Sequence, residues 1–102
     1  MTTIIVLFNL KAGADVAEYE AWARSTDLPI VNGLSSVDSF QVQRATGMLG
    51  SEATPPYQYV EIIKVNDMGE FGSQVSTEAM GKVAGEFQGF ADNPMFILTE
   101  GL

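Results

Sequence analysis

The sequence predicts an α+β fold in the order strand, helix, strand, strand, helix, strand. Four short runs are rich in β-branched and aromatic residues. Two longer stretches carry apolar residues at spacings of three and four. Gly, Pro, Asn and Asp clusters separate these segments. The 102 residues suffice for one domain, over 1–102, with one modest core.

Residues 3–10 (TIIVLFNL) are almost continuously apolar and read as a buried strand, and Ala12-Gly13-Ala14 turns the chain out of it. Asp15 stands three residues before Glu18, the spacing of a helix cap. Val16, Tyr19, Trp22 and Ala23 then share one helical face. A residue before proline disfavours the helical region, so Leu28-Pro29 predicts a break near Thr26-Asp27 and a short helical turn ending at Gly33. Residues 37–45 (VDSFQVQRA) alternate, with Phe40, Val42 and Arg44 on one face, and a polar loop occupies 47–56. Residues 57–65 (YQYVEIIKV) form a third strand with Tyr57, Tyr59, Glu61 and Ile63 on one face. Asp67 and Glu70 repeat the capping spacing before a short helix. A longer helix follows, with Met80, Val83, Ala84 and Phe87 on its apolar stripe. Asp92-Asn93-Pro94 reads as a turn and 95–99 (MFILT) as the last strand.

This order is the ferredoxin-like plan, a four-stranded antiparallel sheet with helices on one face. The other sheet face is left bare, and a second copy covers it most simply, so a two-fold homodimer is expected.

Composition narrows the function. Apolar residues make up 46% of the chain and charged residues 18%, a globular balance. The net charge is −8, and Lys11, Arg24, Arg44, Lys64 and Lys82 are the scattered basic residues. This argues against nucleic acid and against anionic membrane surfaces as partners. With no cysteine and no histidine there are no disulfides, no thiolate or Ser-His-Asp chemistry and no histidine-ligated metal. Neither a signal peptide nor a membrane span is legible, so a cytoplasmic protein is expected. No nucleotide-binding glycine motif exists. The acidic residues at 15, 18 and 20, or at 67 and 70, read as helix-start charges rather than metal ligands, so no cofactor and no metal are expected.

What remains for chemistry is carboxylates, tyrosines and a few cations. Asp27 is either a partly buried general base or the cap of the turn before Gly33. Arg44, on a face with Phe40 and Val42, is either an oxyanion clamp or half of an ion pair with Glu61 or Asp27. Glu61 lies mid-strand, where acids are rare, and is an acid/base group, an interface ion-pair partner or a rim residue. Tyr57 and Tyr59 beside it suit a flat conjugated ligand, or core and interface packing. Tyr19 and Trp22 are core or pocket wall. Asn9 orients a carbonyl or satisfies a turn. Gly81, Gly85 and Gly89 form one helical stripe, for close packing or for ligand room.

The segment Tyr19-Glu20-Ala21-Trp22-Ala23-Arg24-Ser25-Thr26-Asp27-Leu28-Pro29 resembles the first-helix region of the dimeric α+β barrel superfamily. There the helix commonly ends in His-x-Pro, and Asp27 takes the His position here. The stretches around Leu34-Ser35-Ser36-Val37, Phe40-Gln41-Val42-Gln43-Arg44, Tyr57-Gln58-Tyr59-Val60-Glu61 and Phe90-Ala91-Asp92-Asn93-Pro94 are similar to its RedY/HapK-like branch, associated with secondary-metabolite biosynthesis. The resemblance implies a dimeric barrel without haem, since no histidine could serve as axial ligand. With the absent cofactor motifs, it implies cofactor-independent proton transfer on a flat, largely apolar intermediate: cyclisation, dehydration or condensation. Asp27 would be the base or acid, Glu61 a second acid/base group, and Arg44 and Tyr59 would polarise a carbonyl. Phe8, Asn9, Tyr19, Trp22, Phe40 and Tyr57 would bind the substrate. A carrier without activity and a cofactor-free oxygenase are the alternatives.

Overall fold

The computed structural model describes residues 1–102. Its strands are β1 (Thr2–Leu10), β2 (Val37–Arg44), β3 (Tyr59–Val65) and β4 (Ala91–Thr99), in the order β2-β3-β1-β4 with every pairing antiparallel. This is the ferredoxin-like α+β plan expected from the order of elements. The helices are α1 (Val16–Trp22), α2 (Leu28–Asn32), α3 (Met68–Val75) and α4 (Glu78–Phe90).

Alternation decides the sheet's two faces. Ile4, Val6 and Phe8 of β1 are buried on the helix side with Tyr59, Glu61, Ile63 and Val65 of β3 and Phe40 of β2. Tyr19, Ala23 and Val31 pack onto them from the first helical segment, and Met80 and Phe87 from α4. On the opposite face Ile5 stands between Ile62 and Ile97, and Leu7 between Val60 and Met95. No helix covers that apolar patch, and Met95 and Ile97 are each about two-fifths exposed.

Local chemistry accounts for the helix starts. The Asp15 carboxylate accepts from the backbone N–H groups of Ala17 at 2.8 Å and Glu18 at 3.3 Å. Asp67 accepts from Glu70 N–H, and Thr77 Oγ1 from Met80 N–H. Gly13 takes φ +85°, the left-handed turn between β1 and α1.

Four expectations need correction. No break falls near Thr26-Asp27: Asp27 (φ −64°, ψ −54°) and Leu28 (φ −59°, ψ −51°) stay helical, and residues Ala23–Asp27 form a π-helical turn joining α1 to α2. Leu28 N–H bonds back to Ala23 C=O. Pro29, with no N–H to place, follows immediately at the start of α2. The third strand begins at Tyr59, and Tyr57 lies before it. Residues 92–94 are not a turn between elements. They lie inside β4, where the pairing with β1 slips between Leu7 and Asn9 and Asn93 takes φ +46°. This edge-strand bulge accommodates Pro94, which has no ladder donor to lose. Finally, Gly81, Gly85 and Gly89 face open space, since a Cβ on any of them would meet nothing within 4 Å, so close packing does not explain them.

Candidate functional site

Tyr19, Ala23, Asp27 and Val31 recur every fourth residue and are all buried. In a regular α-helix each such step drifts about 40° around the axis, because four residues exceed the 3.6 of one turn. The wider π turn takes up that drift and keeps the four side chains on the sheet-facing line. It thereby carries the Asp27 carboxylate inward, 5% exposed, and no capping hydrogen bond from Asp27 exists. The helix-cap reading of Asp27 is therefore overturned.

Glu61 reaches the same space from the sheet. Its cross-strand neighbours are Val6 and Val42, its same-face neighbours along β3 are Tyr59 and Ile63, and it is 4% exposed. Its Oε2 has no hydrogen-bond partner. Asp27 and Glu61 line one cavity of about 160 Å³, whose only other polar residue is Gln88. Phe40, Ile63, Phe71, Val83, Phe87 and Phe96 supply much of the apolar wall.

Burial shifts both acids. It pushes Asp27 up to about 6. Burial, and after it the charge of Asp27, pushes Glu61 up to about 8. Near neutral pH the pair therefore holds one proton and one negative charge between them. The Tyr19 hydroxyl, fully buried and unpartnered, is held far above the usual phenol range by burial first and then by Glu61 and Asp27. Trp22 Nε1 is also buried without a partner.

Arg44 and Tyr59 belong to a different cluster. Arg44 does not pair with Glu61 or Asp27. Its Nε and Nη2 donate to the two oxygens of Glu20 at 2.7 and 2.6 Å, and the Tyr59 hydroxyl donates to Glu20 Oε2 at 2.7 Å. Arg24 adds a longer contact to Glu20 at 3.3 Å. The Arg44 and Tyr59 hydrogen bonds hold Glu20 at about 2, and burial, then the bond to Glu20, raises Tyr59 to about 12. The hollow beside these groups, about 250 Å³, shares no lining residue with the Asp27–Glu61 cavity. It is the larger space, but Glu20 already satisfies its strongest donors.

Of the expected wall residues, Phe40 lines the cavity, whereas Phe8 lies beneath it in the core, stacked on Tyr59 at 5.5 Å. Tyr19 and Trp22 pack on each other and on Phe90. Asn9 serves the backbone: it donates to Pro56 C=O at 3.1 Å and accepts from Gln58 N–H at 2.9 Å. Tyr57 points its hydroxyl at Met95 Sδ, 3.9 Å away, outside the cavity. Sequence reasoning missed Glu20 and Gln88. The Glu20–Arg24 spacing of four was the available signal for the first, and nothing distinguished the second. No three acidic side chains converge in a way that could hold a metal ion.

The REDY-like protein HapK family model matches residues 2–102. The crystal structure of HapK from Hahella chejuensis is similar over all of this chain and 93% of its own, with 31% identity and a TM-score of 0.78. SnoaB of Streptomyces nogalater, a cofactor-independent oxygenase, shares the fold at 13% identity and a TM-score of 0.76, covering 98% of this chain and 91% of that one. A dimeric ferredoxin-like protein of Bacteroides fragilis shares it at 12% identity and a TM-score of 0.68, covering 98% and 95%. No curated protein sequence matches the chain. Fold, full-length family match and the HapK likeness agree: the chain belongs to the family of the REDY-like protein HapK.

Proposed function

We propose that the chain is a cofactor-independent proton-transfer enzyme acting on a flat, largely apolar secondary-metabolite intermediate. The observation that carries this reading is the pair of buried carboxyl groups, Asp27 and Glu61, facing one apolar cavity with Glu61 Oε2 unpartnered. Buried polar groups normally find partners, and a desolvated acid left without one is costly unless a ligand completes it. Asp27, the more readily ionised, takes a proton from the substrate. Glu61, the better proton holder, gives one to the carbonyl or hydroxyl oxygen. The two transfers together move one proton across the substrate with no redox partner, as cyclisation, dehydration and condensation each require. Arg44 and Tyr59 act at a distance in this scheme, by fixing Glu20 and so the position of the first helix over the sheet.

The bare apolar face of Ile5, Leu7, Val60, Ile62, Met95 and Ile97 supports pairing of two copies through their sheets. The test begins with native mass spectrometry of protein purified from its host, which gives the assembly and any bound molecule. Turnover of that molecule is then followed. Asp27→Asn and Glu61→Gln are each expected to lower kcat by about 100-fold or more, and the parent profile to be bell-shaped with limbs near 6 and 8. Undiminished turnover in both variants overturns the mechanism. Binding without turnover in the parent identifies a carrier instead.

A further inference from the structure

We propose that the Asp27–Glu61 cavity selects ligands by a cationic or N–H-donating head, such as a protonated amine, an amidine or a ring nitrogen carrying hydrogen, and rejects carboxylates of the same shape. This rests on the proton-transfer reading above and names its substrate class.

The cavity's polar inventory is lopsided. Two carboxyl groups and the Gln88 amide face it, and no Lys or Arg does. The five cations are all spent elsewhere. Arg24 and Arg44 hold Glu20, and Lys11, Lys64 and Lys82 are exposed to solvent. An incoming anion would therefore meet the pair's negative charge in a desolvated space, with no compensating cation. An incoming donor meets the opposite situation. Glu61 Oε2 is buried and lacks a hydrogen bond, and Asp27, the more readily ionised of the two, offers acceptor sites only once ionised. A planar amidinium matches a carboxylate oxygen pair in geometry, and a ring N–H matches a single oxygen.

The apolar wall sets the rest of the ligand. Phe40, Phe87 and Phe96 present aromatic surface. The volume of about 160 Å³ is comparable to the cavity of about 150 Å³ that takes one benzene ring in another protein. One ring enters, with its donor toward Asp27 and Glu61. Any further conjugated portion leaves past Gln88 and the half-exposed Phe96.

Three probes of matched shape test this: benzamidinium, benzamide and benzoate, titrated into the full chain at pH 7 by calorimetry and by amide chemical shifts at Phe40, Phe87 and Gln88. Benzamidinium is expected to bind about tenfold or more tightly than benzoate, with benzamide between them. Asp27→Asn, a near-isosteric change that removes the pair's negative charge, is expected to abolish the preference, and Glu61→Gln, which leaves Asp27 ionised, to reduce it less, while Glu20→Gln, outside the cavity, retains it. Benzoate binding as tightly as benzamidinium overturns the proposal, as does failure of benzamidinium to perturb those amides. A carboxyl carbon NMR titration of the unliganded chain separates the two readings. If Asp27 and Glu61 titrate in the ordinary carboxylate range, the proton-transfer reading itself falls. If they titrate high yet benzoate is preferred, only the ligand class is wrong.

Discussion

Glu20 and Asp27 stand seven residues apart on one continuous helical segment, and their carboxylates have opposite fates. Glu20 is gripped by Arg44 through two hydrogen bonds and by Tyr59 through a third, and is held at about 2. Asp27 is buried with Glu61 nearby, has no cation, and is pushed up to about 6. The first arrangement favours the charge and contributes to the fold. The second disfavours it and is retained at a cost to stability. Polar groups that a fold leaves unpaid are where function is expected.

Substitutions that remove one side of this contrast should differ in sign as well as size. Glu61→Gln has the largest expected effect. The folded-state value is raised from 4.5 to about 8, so the native chain holds a proton that the unfolded chain releases, and stability falls as pH climbs through that window. The variant is expected to be more stable than the parent by about 3 kcal/mol at pH 9 and nearly equal at pH 4, in urea denaturation at fixed protein concentration. A difference that does not vary with pH would show that Glu61 is not a buried acid. Asp27→Asn should behave alike over a lower window, with a gain of about 2 kcal/mol complete by pH 7.5.

Glu20→Gln should run the other way, costing about 1 kcal/mol at pH 7, because Arg44 is more than half exposed and the pair is partly screened. Here the folded value is depressed, so the parent's advantage is present above about pH 4.5 and disappears as pH falls through about 2. The smallest effect is a gain. Gly85→Ala, mid-helix with open space at the Cβ position, should add about 0.5–1 kcal/mol. Loss of stability there would mean that a partner copy or a ligand lies against α4.

The parts that could be read from the sequence share a property: they depend on local pattern. The apolar run of β1, the alternation around Phe40 and Val42, and the Asp15 and Asp67 helix starts all follow from residues near one another in the chain. Glu61 stood out because a mid-strand acid breaks its own pattern. The failures are equally physical. Leu28-Pro29 suggested a break because the proline rule assumes a regular α-helix, and a π turn avoids the conflict. Asp92-Asn93-Pro94 has turn chemistry that β4 uses for a bulge. Arg44 was placed on the correct face. Its partner Glu20, 24 residues away, could be found only once the helix was docked on the sheet. Of the four residues expected to do chemistry, Arg44 and Tyr59 bond Glu20, whereas Asp27 and Glu61 face the apolar cavity.

The π turn at Ala23–Asp27 carries a further consequence. In effect this helix has one residue more than a regular spiral between the same endpoints would need. Shortening it by a single residue would restore regular winding and swing Asp27 sideways out of the cavity, while β1 through β4 kept their pairings. Relatives could therefore gain or lose the acid at this spot through one small insertion or deletion, leaving the four-stranded sheet intact. Where lineages of this fold differ in chemistry, the length of the first helix is as informative as the identity of the residues on it.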